Sequence, residues 1–548
     1  MKKKLVAFVL LAAIMLNLIA CSSTETNVKA TEANTEAAPT ETVASLDEVL
    51  VDSTDKKGES KIVDVVKLAG TDSAADLSPW AGSNSGCVGL VHMFYESLFI
   101  QEYKGELEPC LAKSYTRDGN VLTVTLFDYI KDTAGNHFTA NDVVFSLDQA
   151  IAGGVISYVK ILKSYRAVDD YTVELELNDN LAVGDLETFL TNVFYVTKAA
   201  FEASPDGMVT DPVGTGHYEV TEFTSGYRLV MEAKEDWWQT DEQYIASRSV
   251  ANAKRVEAYV MADSTACAIA VETGEVDCAG ISYADLQSVK DAGLDVYTYM
   301  MSLTRILLCN CSENSVLNDV NLRKAVYYAI DNSGVAKMIS DGVGVPVYDM
   351  SSNNYVDYYE DYYKELSKEN YYGCNPEKSQ QLLSDAGHPD GIELTLITDV
   401  STAGVEIAQA IQAYLEAVGI TVHVESYQAN MLTSIAEDST KWDLYLRQTA
   451  ANGYATVAWS RPFKAANYKS GGTCNFIFDD YLQSQLEYVN TDKGHTEQNV
   501  KDLYNYIVDN AYGMGLCTTT SYIATDDKIE KLSFNASIMV SPNSFIYK

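Results

Sequence analysis

Few residues of this 548-residue chain could do chemistry by virtue of where they stand. Cys21 closes a leader in which Lys2, Lys3 and Lys4 precede an apolar run from Leu5 to Leu16, followed by Leu18-Ile19-Ala20. A basic start, a short apolar run and a small residue before a cut describe an export signal, and the run is too short to span a bilayer comfortably. Arg305 stands in an otherwise apolar stretch, with Ile306-Leu307-Leu308 behind it. A guanidinium entering a cleft there could grip a carboxylate through two parallel hydrogen bonds. Pairing with a nearby acid of this acidic chain is equally open. Catalysis has little to work with. There is no H-E-x-x-H and no G-x-S-x-G, and the six histidines are scattered without metal-ligand spacing. Acidic residues are too numerous for a glycosidase-like carboxylate pair to stand out. The expectation is no catalytic residue, no metal and no cofactor.

Nine cysteines follow Cys21, an odd number, so at least one thiol is free if the others pair. None forms C-x-x-C, and Cys309 and Cys311 alternate on one face of an expected strand as small core residues. Most are expected to be buried free thiols. The formal charge is −38, and removing residues 1–20 takes away three lysines and no acid, leaving a still more acidic chain. Such a surface repels phosphate backbones, so nucleic acid is not an expected partner.

The elements that must position these residues read as mixed α/β. Residues 22–60 are rich in Thr, Glu, Ala, Ser and Asn and contain no aromatic residue, which describes a disordered tether. Folded structure should begin at Lys61-Ile62-Val63-Asp64-Val65-Val66. Strands are expected at 121–127, 171–177, 393–397 and 420–425, where β-branched and apolar residues alternate or cluster. Thr139 should cap a helix running through Val143-Val144-Phe145. Pro376 should open a second helix, with Gly387 near its end. A third helix is expected at 403–418. The 37 tyrosines cluster at 355–363 and 371–372, which suits a polar-tipped cleft and equally a wet loop surface.

Two resemblances organise these readings. The ending Leu-Ile-Ala-Cys resembles the lipobox of bacterial lipoproteins. It implies that 1–20 is cleaved, that the Cys21 thiol carries lipid, and that the mature chain is anchored to the bacterial cell membrane on its extracytoplasmic side. The second rests on an ordered set of motifs: Phe94-Tyr95-Glu96-Ser97-Leu98-Phe99, Leu107-Glu108-Pro109 and Phe138-Thr139-Ala140-Asn141-Asp142; Pro212-Val213-Gly214-Thr215-Gly216-His217-Tyr218; Thr273-Gly274-Glu275-Val276-Asp277; and Asn318 to Asp331 with Asn375-Pro376-Glu377-Lys378. In this order they resemble the solute-binding proteins of peptide and nickel ABC importers, the family-5 extracellular binding proteins, over roughly residues 60–548. Physically the motifs are scaffold. Gly214 and Gly216 permit close backbone packing, and Tyr218-Glu219-Val220 continues as a strand, so no phosphate cradle is expected. Arg323 is expected in a salt bridge and His217 as a turn residue.

The resemblance implies an α/β, two-lobed periplasmic-binding-protein-like fold with an inserted subdomain in the first lobe. Lobe I would comprise 61–90, 200–304 and 516–548, the inserted subdomain 91–199 and lobe II 305–515, with crossing strands near 299–310 and 514–522. Ligand-binding candidates are Asn84, Tyr95, Met301, Thr304, Arg305, Arg447, Thr449, Asn452, Tyr454 and Trp459. Peptide-binding relatives commonly place an Asp near the position of Asn452 to meet an α-ammonium, and an amide there forfeits that charge-assisted bond. The implied function is a monomeric, lipid-anchored binding subunit that captures a peptide or modified peptide by hinge closure and delivers it to an ABC permease and ATPase complex. A metal chelate or oligosaccharide as ligand, or an exported hydrolase, are the alternatives.

Overall fold

The computed structural model describes residues 60–72, 74–80, 88–101, 106–179, 181–339, 344–450, 453–465, 475–534 and 540–548, without the side chains of Ser247, Met301 and Ser302. The leader, Cys21 and the tether lie outside the described residues, as do Asn84 and Asn452.

One 11-stranded sheet runs through the body. From one edge its strands are Ile420–Tyr427, Ile392–Asp399, Leu444–Thr449, Asp295–Cys309, Gly513–Thr525, Cys278–Ile281, Val63–Gly70, Ala253–Val260, Arg228–Ala233 and Tyr218–Thr224, with Gly344–Pro346 pairing Gly513–Thr525 off this path. At the first edge Ile392–Asp399 is parallel to both Ile420–Tyr427 and Leu444–Thr449. Parallel strands need covering helices and apolar faces. Leu394, Leu396, Ile397, Leu444 and Leu446 supply the apolar residues, and Thr402–Glu416 supplies a covering helix. That helix buries Ile407, Ala408, Ala410, Ile411 and Leu415, the spacing of one helical face. Its N-cap Ser401 accepts the Gly404 amide.

A second, four-stranded antiparallel sheet is formed by Ala112–Asp118, Val121–Leu126, Thr172–Leu177 and Leu162–Asp169. Leu122, Val124, Leu126, Val173, Leu175 and Leu177 alternate into its buried face. Helix Ala140–Gly153 packs there, and Asp142 accepts the Thr139 amide at 2.8 Å and the Lys198 amide at 2.8 Å.

The apolar interior divides into separate cores. The largest gathers residues from Ile306 to Cys517. The second gathers Val66, the four-stranded sheet, Tyr218, Val256 and the C-terminal Phe545 and Tyr547. Two long antiparallel strands, Asp295–Cys309 and Gly513–Thr525, run between them. Ile306, Leu307, Leu308, Met514 and Leu516 enter the first core, whereas Tyr297, Tyr299 and Ile523 belong to the second. Between these ends the pairing is irregular, shifting register between Met300 and Thr304 and again between Arg305 and Ile306.

The glycine motif is scaffold, as expected. A Cβ on Gly214 would stand 1.9 Å from the Phe94 carbonyl oxygen, and one on Gly216 2.3 Å from that of Met93, so this segment lies backbone to backbone against the Phe94-Tyr95-Glu96 stretch. His217 stacks on Trp237 at 4.3 Å and bonds the Ser249 carbonyl at 2.8 Å, a structural arrangement. Arg323 departs from expectation. Its buried guanidinium donates to the carbonyls of Leu317, Asn318, Asn510 and Ala511 and lies over the Tyr512 ring, gathering the ends of two helices rather than an acid. The tyrosine clusters are not a wet surface: Tyr355, Tyr363, Tyr371 and Tyr372 are buried in the first core, with hydroxyls such as that of Tyr371 donating to the Gly513 carbonyl. Among the described residues seven cysteines are free, six of them buried, and no helix is long and apolar enough to cross a membrane.

Candidate functional site

In a sheet with parallel strands, chain polarity collects strand carboxyl ends and helix amino ends on one side, and ligands are met there. Strand Ile392–Asp399 ends in Thr398-Asp399 and strand Leu444–Thr449 ends in Gln448-Thr449. Helices Thr402–Glu416 and Ala455–Phe463 follow them. The neighbouring crossing strand brings Thr304 opposite Thr449 and Arg305 opposite Gln448. Thr304, Thr398 and Thr449 are all buried, and each hydroxyl lacks a hydrogen-bond partner. A buried hydroxyl without a partner costs about 1–3 kcal/mol, so each such group calls for an explanation, and a bound molecule that satisfies it is one.

Arg305 is paired within the protein, with its buried Nε left without a partner. Its guanidinium pairs with Asp399 and donates to the Ser401 hydroxyl at 3.0 Å. Of the two arrangements open in the sequence, the acid-paired one is present. Burial acts to raise the Asp399 carboxyl, but hydrogen bonds from Arg305 and Ser401 and the arginine charge outweigh it, leaving the pKa below its ordinary value. Arg447, two residues before Thr449, lies half-buried with its guanidinium 5.7 Å from the Tyr445 ring centre. Its Nε donates to the Gln448 carbonyl at 3.2 Å, and burial and the nearby Arg461 both disfavour its charge.

Tyr454 precedes helix Ala455–Phe463, with its ring edge-on to His495 at 5.3 Å. Burial and the acids Glu187, Asp357 and Asp492 push its hydroxyl up to about 12. The start of this helix is held by a residue that sequence reasoning missed. Asp357 accepts the Ala455 amide at 2.5 Å and the Thr456 amide and hydroxyl at 3.3 Å. His495 Nε2 stands 3.6 Å from the same carboxylate. The cap comes from 98 residues upstream, so no local capping pattern announces it. Asp349, also missed, is wholly buried beside this cap, and burial pushes its carboxyl up to about 7 against hydrogen bonds from Ser351.

Two expected ligand residues are in the cores instead. Trp459 is fully buried on the inner face of its helix, 6.2 Å from Tyr504. Tyr95 is fully buried between Phe94 and Phe194, because the Gly214 contact draws its backbone into the second core. Thr304, Arg305, Arg447, Thr449 and Tyr454 belong to the strand-end region; the Met301 side chain, Asn84 and Asn452 are outside the described residues.

Residues 106–470, more than half of the chain, match the profile described as bacterial extracellular solute-binding proteins, family 5 Middle. The chain belongs to this family. A curated relative is the glutathione-binding protein GsiB of Shigella flexneri serotype 5b, 24% identical over 446 residues, covering 77% of this chain and 83% of that protein. Among solved structures, HbpA2 from Haemophilus parasuis superposes with a TM-score of 0.77 at 18% identity, covering 88% of this chain and 100% of the other. The periplasmic binding protein DppA from Helicobacter pylori, in complex with peptide STSA, gives a TM-score of 0.63 at 20% identity, covering 89% and 99%. At these identities the structures establish the fold, which is the bilobed one of periplasmic binding proteins. Family-5 proteins bind solutes outside the cytoplasm and are binding proteins rather than enzymes.

Proposed function

We propose that this family-5 protein is the substrate-binding component of an ABC importer, lipid-anchored through Cys21, that closes two lobes on a peptide or modified peptide and presents it to the permease and ATPase complex. The observation that carries the reading is the junction between the two cores. They are joined by two antiparallel strands whose pairing is irregular between Met300 and Thr304, and the partnerless hydroxyls of Thr304 and Thr449 lie beside that irregularity. A pair of strands with locally weakened pairing is a place where two bodies can rotate. Hydroxyls satisfied only by a guest give closure its driving force, since a ligand shifts the equilibrium only by contacts it makes better in one state.

In this reading lobe I is 61–90, 200–304 and 516–548, with 91–199 inserted, and lobe II is 305–515. The membership of the two cores supports the division near 305 and near 516. A peptide as ligand is supported by the glutathione-binding relative and by the neighbour in complex with peptide STSA. It is also supported by chemistry: hydroxyls can bond main-chain amides and carbonyls, and Arg447 can meet a carboxylate. The test is thermal unfolding across a defined peptide library. Saturating peptide raises the melting temperature by linkage. Indifference to every peptide, with stabilisation by a nickel chelate or an oligosaccharide, contradicts the peptide assignment. Cys21→Ser abolishes incorporation of fatty-acid label, and persistent label contradicts the anchor.

A further inference from the structure

Away from the crossing strands, the body built on the second core meets the body built on the first a second time. The Val183 amide donates to the Asn490 carbonyl at 2.7 Å, and Ala182 and Thr491 form an antiparallel bridge. Beside them Arg117, on the four-stranded sheet, pairs with Asp492 at 2.7 Å, the two side chains 33% and 41% exposed. Arg117 is aimed by its own Nε, which donates to the Gly119 carbonyl at 3.1 Å.

The loop carrying Asn490 to His495 is held from behind. The Asn490 side-chain amide donates to the Ser460 hydroxyl at 2.7 Å, and that of Asn499 donates to the Gly494 carbonyl at 2.8 Å. A Cβ on Gly494 would stand 1.9 Å from the Tyr488 carbonyl oxygen. Ser460 lies on helix Ala455–Phe463, and His495 faces the Asp357 carboxylate that caps that helix. The loop is therefore continuous, through one helix, with the strand-end site.

Acids gather around this contact, and Arg117 pairs with one of them. Asp492 also faces Asp185, whose carboxyl is raised by burial and by Asp492, and Tyr454 senses Asp492, Asp357 and Glu187 together. Arg117 supplies a countercharge to Asp492 across the contact, with Lys493 next to Asp492 in the loop and His495 beside Asp357.

We propose that this contact is a clasp that biases the molecule toward its closed form before any ligand arrives, with Arg117 and Asp492 as positioning residues that set the closed fraction. The proposal rests on the hinged, two-lobe reading above. Its test needs no ligand: the full chain with Ala182→Cys and Thr491→Cys is mildly oxidised, and disulfide formation is followed by reversible gel mobility, with the parent chain as background. Trapping is expected in the ligand-free protein. Arg117→Glu in that background slows it about two- to fivefold, as for the loss of an exposed but geometrically defined ion pair, and Arg117→Asp combined with Asp492→Arg restores the rate. No trapping in the ligand-free protein, with a scattering profile of an open molecule, overturns the clasp and leaves the hinge standing. Trapping at one rate in all variants, with scattering the same in all, overturns both, because the body is then rigid.

Discussion

At the scale of single residues, two carboxylates, the half-buried Asp399 and the buried Asp349, set opposite pH responses. Asp399 is held below the ordinary carboxylate range, so its pairing with Arg305 contributes stability at neutral pH that is lost as pH falls through its folded pKa. Arg305→Ala is expected to destabilise by about 1–3 kcal/mol at pH 7, less than a fully buried broken pair because Asp399 keeps some contact with water. The deficit narrows in acid, which denaturant midpoints between pH 3 and pH 7 will show. Asp349 works the other way. Its carboxyl is raised from 3.8 to about 7 by burial, so ionising it costs stability, and the cost grows across that window as pH rises. Asp349→Asn keeps an acceptor for the Ser351 amide and is expected to be more stable than the parent at pH 8, by on the order of 1–3 kcal/mol. The advantage disappears below pH 4. A variant no more stable at pH 8 than its parent contradicts this account of Asp349.

At the scale of elements, the close approach of two backbones is the feature most sensitive to a single methyl. Gly214→Ala places a Cβ inside the contact distance of the Phe94 carbonyl and is expected to cost on the order of 3 kcal/mol in urea unfolding, while leaving far-UV dichroism intact. Asp357→Ala removes the remote cap of helix Ala455–Phe463, a loss of about 1–2 kcal/mol, and loosens the segment before it, visible as faster amide exchange at Ala455 and Thr456. These two positions also mark what could be read in advance. Locally encoded features were legible: the Thr139 cap, Pro376 opening its helix, and the strands Val121–Leu126 and Thr172–Leu177, because short-range sterics and alternation decide them. The motif glycines were legible as scaffold. Arg305 was legible as unusual but its role was not, since Asp399 lies on a strand that reaches it only through the order of the sheet. The tyrosine-rich segments misled for the same reason: their composition suits a cleft or a surface, and only the long-range packing of the first core buries them. Asp357 and Asp349 carried no signal at all among so many acids.

At the scale of the molecule, this family-5 binding protein has two cores joined by two strands of irregular pairing, with partnerless threonine hydroxyls beside the irregularity. Closure predicts that small-angle scattering of the protein with a saturating peptide gives a smaller radius of gyration than the ligand-free protein, and that Thr304→Val combined with Thr449→Val reduces peptide affinity while stabilising the ligand-free chain, because two partnerless buried hydroxyls are removed. The most direct measurement of the central claim is native mass spectrometry of the protein purified from its own host without denaturation. The account predicts satellite masses above the bare chain that dissociate, on activation, into peptides or modified peptides. Satellites that resolve instead to one discrete sugar or metal-chelate mass would contradict it.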